Sequence, residues 1–313
     1  MIITVTPNPA WDVTYTLPDV RSSDVHQIDR VSEQAGGKGV NVASVLTSMG
    51  RESLVVAPVG GPVGEQFSAD LQRRGIPTDL VGSPESTRRS TAVVDHIRTT
   101  VLNERGPEQP SSVWTELVTV VRRHLPETDA LVVSGSLPPG APDNLLPTLV
   151  EVSHGHHRPV ILDARGPALA RALTSAPDLV KPNAAEATET TGERDPVAAA
   201  RAMVRAGARA AVVSRGAAGL VLITEDGLAL TAYLNRTLSG NPTGAGDALT
   251  AALAAAMADA SRSGRSLTRE DWWEALRHGV SWSAAAVLAP LAGMVDVQTI
   301  ADVVADVVIK ELT

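Results

Sequence analysis

The stretch N-P-T-G-A-G-D-A-L-T-A-A-L-A, residues 241–254, runs a glycine-rich turn straight into an alanine- and leucine-rich helix. Gly244 and Gly246 lack a Cβ, so the backbone can approach an anion closely and turn free N–H groups toward it. The positive end of the helix adds to that attraction. Gly244, Ala245 and Gly246 therefore form a candidate anion cradle, and Asp247 sits just inside the helix. A carboxylate beside an anion cradle is awkward for plain phosphate binding, because like charges repel. It makes sense as a base that takes a proton from a hydroxyl attacking the phosphate, which is kinase chemistry. The competing reading is a tight packing turn whose Asp merely favours the helix dipole, and this segment alone does not separate the two.

Composition narrows the field. At 313 residues and 43% hydrophobic, the chain can bury a large core, as one sizeable domain or one with a small appendage. A net charge of −8, with no basic run or aromatic ladder, argues against a nucleic-acid surface. The absence of cysteine removes disulfides, thiolate metal sites and a cysteine nucleophile, and is compatible with a reducing cytoplasm. The start M-I-I-T-V-T-P-N-P has no cationic region or cleavage site, and the apolar run 249–257 is too short to span a bilayer. A cytoplasmic protein without membrane contact is expected.

Toward the N-terminus, residues 2–6 read as a strand leading into the turn at Pro7 and Pro9, which Asp12 follows. Stretches 13–17 and 25–31 are β-prone but polar throughout, as strands exposed on one face would be, and suit a lid. In A-G-G-K-G-V-N-V-A-S-V-L-T-S-M-G, residues 35–50, Gly36, Gly37 and Gly39 open a helix that Gly50 closes. Lys38 and Asn41 put donors where a sugar's hydroxyls or phosphate could dock; a flexible turn with a solvated lysine is the plainer alternative. A strand at 54–59 and a helix at 66–74 follow. Residues 87–95 alternate into a strand that pairs with 98–103 as a hairpin, completing the lid. Arg88 and Arg89 are adjacent, so only one can face the site.

The remainder alternates. Strands at 130–133, 160–163, 179–180 and 210–214 are separated by helical stretches at 114–124, 142–152, 168–173 and 196–206. That βαβ periodicity implies an α/β fold with a largely parallel sheet covered on both faces, binding ligands at the strands' carboxyl edge. In K-P-N-A-A-E, residues 181–186, Asn183 and Glu186 share one helix face. The segment reads as a capped helix with a solvated glutamate, or as a magnesium contact made directly or through water. S-R-G-A-A-G, residues 214–219, is a third glycine turn, where the bare Gly216 and Gly219 would let backbone pack close to adenosine phosphates. Helices are expected at 267–288 and 297–312. His154, His156 and His157 form one H-G-H-H loop, read as solvated and not a metal site because no carboxylate partner is expected nearby.

Several of these segments, in order, resemble the signatures of the ribokinase-like (PfkB) carbohydrate kinases. T-G-A-G-D-A is similar to the family's C-terminal signature, G-G-K-G-x-N-V-A to its sugar-binding signature, and N-P-A-W-D to its first sugar-contact segment. N-E-R-G-P, residues 103–107, resembles a segment of the fructose-1-phosphate and tagatose-6-phosphate kinase branch. The resemblance spans essentially the whole chain and implies a three-layer α/β/α fold with a small β-sheet lid drawn from about 12–34 and 87–105, all within one kinase domain, 1–313. It implies ATP-dependent phosphorylation of a ketohexose phosphate, with Asp247 as base and Gly244, Ala245 and Gly246 as the anion hole. Asp12, Gly37, Lys38, Asn41 and Arg88 would hold the sugar. Lys181, Asn183, Ser214, Arg215, Gly216, Ala217, Ala218 and Gly219, with Gly246, would hold the nucleotide, and A-P-L-A-G-M-V-D, residues 289–296, would close over adenine. Mg²⁺ would sit near Glu186, directly or through water.

The sequence departs from the branch at two positions, Ser44 and Ala92, where basic residues are usual. An unphosphorylated hexose is therefore the alternative acceptor, a nucleoside a more distant one, and a non-catalytic sugar- or nucleotide-binding protein the alternative class. A homodimer through the lid is the expected assembly, since exposed apolar strand edges pair between chains.

Overall fold

The computed structural model describes residues 1–21, 23–95 and 99–312. Ile2–Val5 is apolar on both faces save Thr4 and buried throughout, which suits a central strand between parallel neighbours. It pairs in parallel with Ser53–Val56 on one side and Ala130–Ser134 on the other. The sheet continues in parallel through Val160–Asp163, Leu179–Val180 and Ala210–Ser214. It then turns antiparallel through Leu220–Thr224, Ala229–Leu234 and Val307–Glu311, giving nine strands in all among the described residues.

Alternate residues of these strands feed different cores. Ile3, Val5, Leu131 and Val133 join one apolar cluster with the helices Ser111–His124, Leu145–Gly155 and Pro196–Arg205. Ile2, Val132 and Ile161 join the other, with Lys38–Ser48, Ala245–Arg262 and Arg269–Leu288. This is the three-layer α/β/α arrangement. Ala245–Arg262 and Arg269–Leu288 cross closely because a Cβ at Gly279 would lie 2.5 Å from Leu249 Cδ1. Trp272 and Trp282 are buried between them and the sheet.

A separate four-stranded sheet runs in the order Arg30–Gly36, Ala10–Thr16, Arg88–Val94, Thr99–Asn103. Its middle pair is parallel and its outer pairs antiparallel. One face places Trp11, Val13 and Ala35 on Phe67 and Leu71, the latter two from the helix Gly61–Arg73. The opposite face carries Asp12 and Arg88.

Several sequence expectations need correction. Residues 25–29 are not strand; pairing starts at Arg30 and runs on to Gly36, with Val25 95% exposed. The expected helix 297–312 stops at Val303, and Val307–Glu311 is an edge strand. Its V-V-I-K-E pattern is β-branched, and Leu230, Ala232 and Leu234 offer it a partner. The strands Leu220–Thr224 and Ala229–Leu234 were not foreseen. Arg98, expected at the start of the hairpin's second strand, lies outside the described residues. His154 is not simply solvated, because its Nε2 lies 2.8 Å from Asp178 Oδ2, a carboxylate distant in sequence. No helix among the described residues is long and apolar enough to cross a membrane.

Candidate active site

Gly244 caps the helix Ala245–Arg262 at φ 87°, a left-handed conformation that glycine adopts without strain. A Cβ there would also meet Ala292 Cα at 3.0 Å. The Ala245 amide is occupied by the Pro242 carbonyl at 3.2 Å, whereas no acceptor among the described residues takes the amides of Gly244, Gly246 or Asp247. The Asp247 carboxylate is buried, with 6% residue exposure, and Oδ2 accepts a hydrogen bond from Asn41 Nδ2 at 2.8 Å. Burial, followed by the negative charge of Asp163, pushes Asp247 up to about 6, against the pull of Lys38 and Asn41.

Beneath it lies a hub that the sequence reading did not single out. Asp163 ends the strand Val160–Asp163 at the carboxyl edge of the sheet, and its side chain is 1% exposed. Lys38 Nζ reaches its Oδ1 at 3.2 Å, Lys181 Nζ its Oδ2 at 3.3 Å, and Ser134 and Thr250 hydroxyls donate at 3.1 and 3.3 Å. Burial opposes ionisation of Asp163, but Lys181 and Lys38 prevail and hold it below the usual carboxylate range. A carboxylate at the end of a parallel strand was the available signal.

Lys38 does not stand free for an acceptor: its ammonium bridges Asp163 and Glu186, the latter at 3.1 Å. Burial disfavours its charge, but those two carboxylates outweigh burial and raise its pKa. Lys181 Nζ lies 3.6 Å from the position a Cβ would take on Gly246, so a second ammonium adjoins the cradle.

The lid supplies the facing wall. Asp12 lies across from Gln34, two register steps from the Ala10–Gly36 pair and so on the same face, and a Cβ on Gly36 would fall 1.9 Å from its Oδ2. Gly36 is thus bare to make room for this carboxylate. Burial drives Asp12 up to about 7, with Arg88 opposing, Asp247 adding and the Gly37 amide and Ser90 lowering. Arg88 donates from Nε and Nη2 to the Asn8 carbonyl, both at 3.3 Å, and from Nη1 to that of Glu104 at 3.0 Å. Arg89 points the other way and is exposed.

Asn183 and Glu186 form a capping box at the start of Ala184–Thr191: Asn183 Oδ1 accepts from the Glu186 amide, and Glu186 Oε2 from the Asn183 amide, both at 2.9 Å. Asn183 is the cap outside the helix, so the pair is joined by capping and not by sharing a helix face. Both oxygens of Glu186 accept bonds, and no cluster of three or more His, Cys, Asp or Glu residues suits a metal among the described residues. This donor set fits a magnesium ion held mainly by phosphates and reaching the protein through water.

In the turn 214–219, Gly216 at φ 58° has open space where a Cβ would point, so it leaves room for an approaching group. At Gly219 a Cβ would strike the Ala232 carbonyl at 2.1 Å, so packing requires a glycine there. The Ser214 amide is taken by the Pro182 carbonyl, and Arg215 donates to Leu220 O and Thr231 Oγ1. Ala217 and Ala218 lie in the short 3₁₀ turn between.

Helix-end amides, a raised carboxylate and two lysines at the carboxyl edge of a parallel sheet define a phosphotransferase with an alcohol group as acceptor. The chain belongs to the pfkB family of carbohydrate kinases, whose signature matches residues 6–298. It is therefore a sugar kinase.

Solved structures share the fold. A possible 1-phosphofructokinase from Thermotoga maritima superposes with a TM-score of 0.87 at 22% identity, covering 100% of this chain and 99% of that one. Escherichia coli phosphofructokinase-2 in complex with fructose-6-phosphate gives 0.82 at 25% identity, covering 97% and 98%. The tetrameric inhibited form of the same enzyme gives 0.83 at 25%, over the same shares.

Proposed function

We propose that this sugar kinase transfers the γ-phosphoryl group of ATP to a hydroxyl of a ketohexose phosphate, fructose 1-phosphate or tagatose 6-phosphate, with Asp247 as base. The observation that carries the reading is Asp247 itself, raised to about 6 beside amides that lack acceptors. A base is most useful when its pKa lies near the working pH, and about 6 is better placed than an ordinary aspartate.

In this reading Asp12 accepts a hydrogen bond from the sugar and Gly37 and Asn41 border it. Asn41 aims the Asp247 carboxylate at the attacking hydroxyl, which loses its proton to Asp247 as the oxygen reaches phosphorus. The Gly246 and Asp247 amides and the Lys181 ammonium receive the charge on the transferred group, and the leaving ADP departs on the opposite side. Lys38, fixed by Asp163 and Glu186, adds positive charge at the same edge. Glu186 would hold a Mg²⁺ ion through water, and the ion would supply charge neutralisation of the nucleotide's phosphates. The turn 214–219 borders the nucleotide. Closure of the lid excludes water that would otherwise hydrolyse ATP.

A phosphorylated acceptor is favoured by an opening of about 280 Å³ beside the acceptor wall, lined by Ser86, Arg88, Glu104, Arg105, Gly106 and Pro107. Arg88 and Arg105 bring there the charge that Ser44 and Ala92 do not. The exposed lid residues Val31, Val101 and Leu102 support a homodimer through that sheet. ADP release from Mg-ATP in the presence of a panel of hexoses and hexose phosphates tests the reaction. Activity with no member of the panel refutes it, as does full turnover by Asp247→Ala. Arg88→Ala is expected to raise KM much more for a phosphorylated sugar than for a plain one; equal effects favour the plain hexose.

A further inference from the structure

One lid side chain leaves its own sheet. Gln34, on Arg30–Gly36, lies directly opposite Asp12 in the antiparallel pair, so the two side chains share a face. The residue is 9% exposed, and its Nε2 donates to the Ala292 carbonyl at 2.9 Å. Ala292 and Gly293 form a turn wedged between the two helix starts of the site. On one side, a Cβ on Gly244 would lie 3.0 Å from Ala292 Cα and 3.1 Å from the Gly293 nitrogen. On the other, a Cβ on Gly293 would lie 3.0 Å from Asn41 Oδ1. Asn41 holds Asp247. The same turn therefore touches the anion cradle and the residue that orients the carboxylate, and the lid reaches it through Gln34.

We propose that Gln34 is a positioning residue that couples the acceptor-side lid to the donor-side glycine turn. The inference rests on the kinase reading above. An acceptor seated on Asp12 fixes the strand pair and with it Gln34; the bond to Ala292 then fixes the turn packed on Gly244 and Asn41. Without that bond either side can be filled, but neither biases the other. A hydrogen bond of this kind contributes about 1 kcal/mol, equivalent to roughly a fivefold change in affinity.

The test is a binding cycle. Mg·ADP is titrated calorimetrically into wild type and Gln34→Leu, with and without the acceptor that gives the fastest ADP release in the panel. The acceptor is expected to shift the wild-type Kd for Mg·ADP, and Gln34→Leu to shrink that shift about fivefold and lower kcat by a similar factor. The acceptor-free Kd should stay at its wild-type value, while Tm falls by a few degrees at most, because the bond to Ala292 already exists without ligand. Gln34→Glu adds a signature: protonated, it can donate to the Ala292 carbonyl, and ionised it cannot. Its kcat relative to wild type at the same pH should therefore rise as pH falls. Wild-type coupling in Gln34→Leu overturns the proposal, as does an acceptor-free Kd that rises in step with the loss of kcat. If no acceptor in the panel releases ADP from the wild type, the kinase reading falls and the Gln34 proposal falls with it.

Discussion

Asn41→Ala should move the pH profile of this enzyme in a predictable direction. In the structure Asn41 Nδ2 donates to Asp247 Oδ2 at 2.8 Å in a buried setting, a bond that favours the ionised carboxylate. A hydrogen bond to a charged group is worth about 1.5–3 kcal/mol, and one pKa unit corresponds to about 1.4 kcal/mol. Losing it should lift Asp247 by roughly one to two units, from about 6 to about 7 or 8. At pH 6.5 the ionised fraction would drop from about three quarters to about one tenth, taking a pKa of about 7.5 for the variant. Asp12 faces the same cleft, raised to about 7, so the acidic limb belongs to a coupled pair. Asn41 bonds only Asp247 of the two, so the displacement reports that carboxylate. The assay is kcat/KM from coupled ADP release between pH 5 and 9. Asn41 also borders the acceptor, so the plateau falls in the variant, but the limb's midpoint is independent of plateau height. A midpoint unmoved in Asn41→Ala would refute Asp247 as the titrating base.

Two further outcomes follow from the same carboxylates. Asp247 binds its proton more tightly folded than unfolded, where its value is 3.8, so this residue's contribution to stability is lost as pH rises from about 4 through about 6. Asp247→Asn should therefore melt several degrees above wild type at pH 8 and close to it at pH 4; the same Tm difference at both pH values would contradict the buried-charge account. Gly36→Ala places a methyl where Asp12 Oδ2 now sits, 1.9 Å from it. Displacing that acceptor should raise the sugar KM about tenfold or more while leaving the ATP KM near wild type, and unchanged sugar KM would show that Asp12 does not hold the acceptor.

The glycine turns show how far local chemistry reaches. Gly244 and Gly37 were legible because a positive φ before a helix is a backbone requirement that only neighbouring residues set. The packing demand on Gly219 is not legible in the sequence, because what its bare Cα avoids, the Ala232 carbonyl, lies on another strand. His154 was read as lacking a carboxylate for the same reason, since Asp178 arrives from the far end of a helix and a strand. Asp163 was passed over because a lone aspartate ending a strand looks ordinary until two lysines from distant segments converge on it.

By itself, the sequence determined the parallel sheet, through apolar runs alternating with helical ones, and the helix-opening glycine turns, through the missing Cβ. Both are properties of contiguous residues. Only the tertiary structure decided that the C-terminal segment becomes an edge strand, that Lys38 is committed to Asp163 and Glu186, and that Asp247 is raised. Those depend on burial and on charges brought within a few ångströms by segments far apart in the chain, and a carboxylate's proton affinity is set by that surrounding field and not by its neighbours in sequence.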